Sequence, residues 1–284
     1  MKKSFYAVLI LCVGMMFFAT GCHDKKPAAA DTTAVVAVDS DTIEVLKDSV
    51  AELMAEQPIP KAADELFDDF IYLFCHNRQH QMGRIQWPLR EVNGAKVKLV
   101  QPKQWQMEQL YMPQGYYTLI LDNRKQLQLS KDTTINHVVV EKIFMEQQFV
   151  RKFNFDRLEG KWMLTSVEDG AIVANQNASF LQFYEKFAAD SAFQAESLAE
   201  QMSFSGPDPD DDSHDIQTEI TPDDWPYFTP GELPQGVLFN IIYGQKYKES
   251  NKKVFLLRGI ANGQEMEMNF QQVGGEWKLT GLKV

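Results

Sequence analysis

The chain has 284 residues, of which 12% are aromatic, and this is enough apolar material for one large domain or two of ordinary size. It carries 28 Lys and Arg residues against 39 Asp and Glu residues, a formal net charge of −11. This sign argues against binding to nucleic acid and against electrostatic adhesion to an anionic lipid surface.

The N-terminus has the pattern of an export signal. Lys2 and Lys3 precede an uncharged apolar stretch, residues 5–19, that is too short for a comfortable membrane span. The stretch runs into Phe-Ala-Thr-Gly-Cys at residues 18–22, which resembles the lipobox of bacterial lipoproteins, although leucine is commoner than alanine three places before the cysteine. The resemblance implies that residues 1–21 are a signal peptide and that a lipid on Cys22 anchors the rest outside the cytoplasm, in the cell envelope. An ordinary secretory signal is the alternative.

The cysteines agree with this assignment. Cys12 leaves with the signal and Cys22 carries the lipid, so Cys75 is left without an intramolecular partner. The exported part must therefore be held together by its apolar core. Cys75 itself lies in an apolar helical pattern and is expected to be a buried structural residue.

Two segments precede the main body of the protein. Residues 22–41 are rich in Lys, Ala, Asp, Thr and Pro and are expected to form a flexible spacer between the membrane and the rest of the chain. Residues 42–60 show a helical pattern of apolar residues that Pro58 and Pro60 end, which predicts an accessory helix.

Residues 61–170 and 171–284 follow the same plan, which indicates a tandem duplication. Each copy opens with a helix that carries three phenylalanines, has a Pro-Gln-Gly turn before an apolar strand, and ends in a Gly-x-Trp hairpin. The repeated residues are Phe67, Phe70 and Phe74 with Phe180, Phe183 and Phe187; Pro113 to Gly115 with Pro234 to Gly236; and Trp162 with Trp277. We expect the last two residues to occupy equivalent positions in two tandem domains.

Within each copy, alternating apolar residues predict antiparallel strands that are joined by tight turns, such as Glu159-Gly160 and Gly274-Gly275. An aromatic helix followed by a meander of long strands and a Gly-x-Trp hairpin resembles the nuclear transport factor 2-like, or cystatin-like, superfamily. The duplicated layout behind a lipobox resembles an uncharacterised bacterial lipoprotein family, domain of unknown function 4348. The resemblance implies an α+β fold of two tandem domains, each a curved antiparallel sheet packed on its N-terminal aromatic-rich helix.

His76 and His80 lie four residues apart at the end of the first aromatic helix, a spacing that could place two imidazoles on one zinc ion. The spacing indicates no third ligand, and histidines near a helix C-terminus also suit the helix dipole. We therefore expect a solvated helix end.

An acidic run resembles a calcium-binding loop. Asp208, Asp210, Asp212 and Glu219 occupy the first, third, fifth and twelfth positions of that pattern, but Ser213 stands where the pattern needs glycine. The run replaces a short turn of the first copy. A lengthened, solvated hairpin loop is the favoured interpretation, and calcium binding is the alternative.

Aromatic residues in and near the loops that contain Trp105 and Trp225 are the remaining candidates. Most rings of such a sheet are expected in the core, but loop aromatics with a few polar neighbours could line a ligand pocket. The predicted ligand-binding residues are Trp105, Tyr111, Tyr116, Trp225, Tyr227 and Phe228.

The sequence favours binding over catalysis. Proton transfer needs a titratable group in a desolvated pocket, and the helix positions that face the sheet are phenylalanines in both copies. Glu141 and His137 would point inward only if the strand register slips by one residue. We therefore expect a membrane-anchored, non-enzymatic module without a cofactor, which binds an unknown small molecule or an envelope protein. The alternatives are an isomerase, dehydratase or hydrolase with a helix-sheet cone, and a structural or inhibitory protein that binds a partner along a sheet face.

Overall fold

Helices and strands follow the same order in both halves of the chain. The computed structural model describes residues 64–284 except 209–210, 232 and 248–249, and the side chains of 211–213 are also outside the described part. We call residues 64–174 the first half and residues 175–284 the second half. The signal peptide, the spacer, the accessory helix and the lipid site at Cys22 were predicted within residues 1–60, which lie outside the described residues.

The helices and strands confirm most of the predicted elements. The first half contains α1 (Phe67–His76), α2 (Arg78–Gly83), β1 (Ile85–Asn93), β2 (Lys96–Val100), β3 (Tyr116–Leu121), β4 (His137–Phe144), β5 (Phe149–Leu158) and β6 (Lys161–Ala171). The second half contains α3 (Ala178–Ala189), α4 (Ser191–Glu196), β7 (Leu198–Asp208), β8 (Asp211–Ile220), α5 (Trp225–Phe228), β9 (Val237–Ile242), β10 (Lys252–Gly259), β11 (Glu265–Val273) and β12 (Glu276–Lys283).

These strands form one twelve-stranded sheet in the order β2-β1-β6-β5-β4-β9-β3-β10-β11-β12-β7-β8. Its centre is a strand exchange between the halves: β9 pairs with β4 of the first half, and β3 pairs with β10 of the second half, both antiparallel. The two exchanged strands meet at one parallel pair, Thr118 and Asn240. The α+β class is confirmed. Two separate tandem domains are not confirmed, because the described residues, from 64 onward, group as one compact unit.

The prediction of purely antiparallel sheets is wrong at two places in addition to the parallel contact between β3 and β9. β1 runs parallel to β6, and β7 runs parallel to β12. Each of these strands follows the helices of its half and lies beside a strand that is distant in sequence. The alternation within a strand shows which face each residue occupies, but it carries no information about the direction of such a distant neighbour.

The two halves bury their helices on opposite faces of the sheet. On β10, Val254 and Leu256 belong to the hydrophobic core of α1, whereas Phe255 belongs to the core of α3. Successive side chains of a strand point to opposite faces, so the two cores lie on the two sides of one sheet.

Each core repeats the same ring packing, which confirms the duplication. The ring centroids of Phe67 and Trp162 lie 5.3 Å apart at an angle of 83°, and those of Phe180 and Trp277 lie 5.5 Å apart at 79°. Trp162 and Trp277 each follow a hairpin turn whose two residues have positive φ, as a two-residue turn of this kind requires. The two tryptophans therefore occupy equivalent positions, as predicted.

No helix within the described residues is both long enough and apolar enough to cross a lipid bilayer.

Candidate functional site

Trp105 and Trp225 are buried side chains whose indole nitrogens are each held by a glutamine. Trp105 Nε1 donates to Gln81 Oε1 at 2.8 Å, and Gln81 Nε2 donates to the carbonyl oxygen of Phe74 at 2.9 Å. In the second half, Trp225 donates to Gln194 at 3.0 Å, and Gln194 donates to the carbonyl oxygen of Phe187 at 3.2 Å. Since buried indole nitrogens need a partner, these glutamines fix the tryptophans as parts of the core and leave their polar atoms satisfied.

The other four aromatic candidates occupy different places. Tyr111 is buried against Tyr117, with ring centroids 5.0 Å apart. Phe228 packs on Phe204 of β7, and Tyr227 is 78% exposed on the surface. Tyr116 is half-buried at the start of β3 and lines an open groove. The six predicted residues therefore do not form one site.

The acidic run forms a hairpin rather than a loop around an ion. β7 and β8 pair with Asp208 opposite Asp211 and with Ser203 opposite Glu219. Asp208 and Glu219 are thus separated by five strand positions, about 16 Å, and cannot both bind one calcium ion. Asp210 lies outside the described residues and the side chain of Asp212 is not described. The strands pair as a hairpin, but Asp208 and Glu219 lie within β7 and β8 and not in the lengthened loop that the sequence favoured.

His76 and His80 lie on different helices, because α1 ends at His76 and Asn77 caps α2. The Asn77 side chain accepts a hydrogen bond from the backbone nitrogen of His80 at 2.9 Å. Burial lowers the pKa of His80 below its ordinary value. Among the described residues, no group of three His, Cys, Asp or Glu side chains is placed to hold a metal ion. Cys75 is buried, as predicted, and burial raises the pKa of its thiol.

A carboxylate lies among tyrosines between α1 and the sheet. The phenol of Tyr243 donates a hydrogen bond to Asp68, and Tyr117 is a further hydrogen-bond partner of the same carboxylate. Burial raises the pKa of Asp68 above its ordinary value, and the Tyr243 hydrogen bond offsets part of this effect. Arg258 contacts Tyr117 and donates to Glu265 at 2.8 Å. The rings of Tyr111, Tyr117 and Tyr243 are buried and occupy the space beside this carboxylate.

A second carboxylate is buried at the strand exchange, on the opposite face of the sheet. Glu141 on β4 has an exposed fraction of 0%, so the prediction of purely apolar walls is wrong here. Asn175 and Asn240 each donate a 2.8 Å hydrogen bond from Nδ2 to one of its carboxylate oxygens, and Lys152 lies 3.7 Å away. Burial raises the pKa of Glu141, whereas Asn240, Lys152 and Asn175 lower it and offset part of this effect. His137 remains exposed and contacts Asp156 at 2.7 Å.

An open groove of about 790 Å³ runs between the start of β3 and the end of β10. Its lining combines the ring of Tyr116 and the side chains of Leu257 and Met266 with polar side chains at the rim, those of Gln114, Asn262, Gln264 and Glu265. A neighbouring hollow shares Tyr116 and Leu257 and continues to Pro234 and Gln235 of the second half. Tyr116 therefore lies where the two hollows meet, beside the exchanged strands.

The turn that forms one wall of this groove is held in a defined shape. The backbone nitrogen of Ile260 donates to the carbonyl oxygen of Gly115 at 2.9 Å. Asn262 accepts a hydrogen bond from the backbone nitrogen of Gln264, and its side chain lies where a Cβ atom on Gly259 would sit. The first contact joins the turn before β3 to the turn after β10, and the contacts of Asn262 fix the shape of the second turn.

The family model described as a domain of unknown function, DUF4348, matches residues 46–284. The chain belongs to this family. The DUF4348 chain is also similar to an NTF2-like protein from Bacteroides fragilis, whose crystal structure has 36% sequence identity and a TM-score of 0.71 and covers 80% of this chain and 98% of that one. These matches confirm the NTF2-like fold and the family that the sequence resembled. A search of curated proteins finds no match.

The Asp68 site of the DUF4348 chain gives a prediction for the dependence of stability on pH. Folding raises the pKa of Asp68, so the protonated carboxyl group is favoured in the folded state. The contribution of this group to the free energy of unfolding is fully present below the unfolded pKa of about 3.8 and is lost as the pH rises through the folded pKa. Asp68→Asn should therefore flatten the fall in the free energy of unfolding over this window, as measured by urea denaturation at a series of pH values. Asp215→Asn, at an exposed position on β8, is the control. A curve for Asp68→Asn as steep as that of the wild type would contradict the prediction.

Proposed function

We propose that this chain is a lipid-anchored, non-catalytic binding protein of the bacterial cell envelope, and that the groove beside Tyr116 is its ligand site. The observation that carries the proposal is the chemistry of the groove. Tyr116, Leu257 and Met266 offer an apolar surface, amide side chains surround it, and the side-chain carboxylate of Glu265 already bonds Arg258. Such a lining can hold a ligand but offers no free side-chain base for proton transfer.

The lining also indicates the chemical class of the ligand. An aromatic ring with amide groups around it suits a small molecule that has both an apolar face and several hydrogen-bonding groups. The volume of about 790 Å³ falls within the range of about 300–1,000 Å³ that is typical of ligand pockets. The contacts between the two turns support a groove that is formed before the ligand arrives, which lowers the entropic cost of binding.

The test of this proposal is a search for the ligand followed by a matched pair of variants. Native mass spectrometry of the protein purified from its envelope would identify a copurifying small molecule, and calorimetry would measure its affinity. Tyr116→Ala should weaken binding at least about tenfold, because it removes the aromatic ring that lines both hollows. Tyr227→Ala, on an exposed ring outside the groove, should leave the affinity unchanged. Equal binding by wild type and Tyr116→Ala would reject the groove as the site.

The anchor is supported by the lipobox-like sequence around Cys22, and it gives a separate prediction. Cys22→Ser should shift the protein from the detergent phase to the aqueous phase in a detergent-partition experiment, because the thioether to the lipid requires the thiol. Cys75→Ser is the control, since that buried thiol is not part of the signal. Wild-type partitioning of Cys22→Ser would contradict a lipid anchor at this position.

One observation favours enzymatic conversion of a small molecule as a second candidate. Asp68 has a raised pKa and lies beside the phenols of Tyr117 and Tyr243, and titratable groups with shifted pKa values concentrate at active sites. Incubation with the ligand identified above separates the two functions. Conversion of that ligand by the wild type but not by Asp68→Asn would establish the enzyme, and recovery of unchanged ligand supports binding alone.

A further inference from the structure

A buried lysine lies between an amide and a carboxylate at the strand exchange. The side chain of Lys253 on β10 is 4% exposed, and its Nζ atom lies 2.7 Å from Oδ1 of Asn177 and 2.5 Å from Oδ1 of Asp122. Asn177 directly precedes α3, and Asp122 directly follows the exchanged strand β3. Three segments from both halves therefore bring a nucleophile, an electrophilic carbon and a proton acceptor together in a desolvated place.

The amide of Asn177 is held beside this lysine. Asn177 is 2% exposed, and its backbone nitrogen donates to Asn175 Oδ1 at 2.8 Å, which fixes the turn before α3. Its Cγ atom is bonded to the oxygen that accepts from Lys253, and therefore lies within about 4 Å of Nζ. This is close to the separation of reacting atoms in a near-attack arrangement. The buried Asn177 side chain also has the phenol of Tyr247 as a hydrogen-bond partner.

We propose that the folded chain modifies itself at this site by forming an isopeptide bond between Lys253 Nζ and Asn177 Cγ, with release of ammonia. A proton of the lysine ammonium first passes to the Asp122 carboxylate, and the freed lone pair attacks Cγ while the carbonyl π pair moves onto Oδ1. Asp122 then gives its proton to Nδ2, and the pair on Oδ1 re-forms the carbonyl as the Cγ–Nδ2 bond breaks with its electron pair on nitrogen, which leaves as ammonia. Asp122 finally takes the second proton from Nζ and keeps it, so that neutral ammonia leaves and both the secondary amide and Asp122 are uncharged.

The surroundings favour this reaction over a lasting ion pair. The reaction replaces a buried ion pair with a neutral amide and a protonated Asp122, so both charges leave the desolvated site. The product joins two side chains that are already in contact and needs no oxidant, metal or cofactor. The ring of Tyr247 lies 5.1 Å from Nζ, and the buried position limits the access of water that would hydrolyse the intermediate. Since Asp122 follows β3, the site is complete only after the strand exchange has formed.

Mass spectrometry of the purified full-length chain tests the proposal. Its mass should be lower than the value expected from the sequence and its lipid by one ammonia, about 17 Da. Trypsin should release residues 162–186 joined to residues 253–258, because the modified Lys253 is not cleaved. Lys152, which lies near the carboxylate of Glu141, is the matched control and should be cleaved normally. An unmodified Lys253 would overturn the proposal, and so would a loss of one water, about 18 Da, from a link to Asp122.

Two variants test the roles of the residues. Asp122→Asn keeps an oxygen that accepts from Lys253 but cannot take its proton, so the linked peptide should form at least about 100-fold more slowly after refolding. Asn177→Ala should abolish the link. Circular dichroism establishes that each variant is folded before its peptides are compared. Linkage at the wild-type rate in folded Asp122→Asn would overturn the role of Asp122, and a linked Lys253 in Asn177→Ala would overturn the proposed bond.

Discussion

Residues 61–174 expressed alone should not form a folded domain, and residues 175–284 expressed alone should also fail to fold. The first fragment lacks β9, which pairs with β4 and supplies Phe239 and Ile241 to the core of α1. The second lacks β3, which pairs with β10 and supplies Ile120 to the core of α3. Each fragment would leave a central strand edge unpaired and part of its core exposed, a combination that favours aggregation.

The measurement is near-ultraviolet circular dichroism and size-exclusion chromatography of each fragment alone and of both fragments after coexpression. We expect a folded species only when the two are coexpressed, and it should elute as a one-to-one complex. The full chain expressed under the same conditions is the control. A folded monomer of residues 61–174 would contradict the prediction, because it would mean that β3 can return to β4 and restore a sheet within one half.

Glu141→Ala should lower the free energy of unfolding by about 3–5 kcal/mol, the range found when one partner of a buried charged group is removed. The backbone nitrogen of Ile120 binds Asn240 Oδ1, and the backbone nitrogen of Asn177 binds Asn175 Oδ1. Both amides are thereby held with Nδ2 toward Glu141, so their donors would be left buried without an acceptor.

Chemical denaturation of the variant and the wild type measures this loss. Glu168→Ala is the control, because Glu168 is exposed on β6 and its removal should change stability by no more than about 0.5 kcal/mol. A loss below about 1 kcal/mol for Glu141→Ala would mean that the network around Glu141 does not stabilise the strand exchange.

The sequence predicts the local elements well because their signals are local. The Pro-Gln-Gly turns precede β3 and β9 as expected, and the positive φ angles at Gly160 and Gly275 agree with the predicted hairpins. The duplication follows from spacing alone. The turns and strands depend on interactions between residues close in sequence, and such interactions leave a pattern that can be recognised in one sequence.

The strand exchange could not be predicted from the same signals. β3 and β9 follow identical Pro-Gln-Gly turns and are both apolar, so their sequences do not indicate which of the two pairs with β4. The choice depends on long-range contacts, such as the hydrogen bond from Asn240 to Glu141, that join residues 99 positions apart. The burial of Glu141 follows from that choice, which explains why alternation along β4 alone did not show it.

The candidate site was only partly visible in the sequence. Trp105 and Trp225 each lie shortly before a Pro-Gln-Gly turn, and Gln81 and Gln194 repeat at the 113-residue shift of the phenylalanines. That match was a signal that the two indoles have structural partners. The groove beside Tyr116 combines turns that are more than a hundred residues apart, and no local pattern marks it.

The strand exchange also affects folding during synthesis, because the ribosome makes the two paired strands at different times. β4 is complete at residue 144, but its partner β9 is complete only at residue 242. A ribosome that adds about 5–20 residues per second needs about 5–20 s to make the intervening segment. For that interval the edge of β4 has no partner from its own chain and is open to pairing with another chain, so correct folding depends on the early and late segments of one molecule staying together.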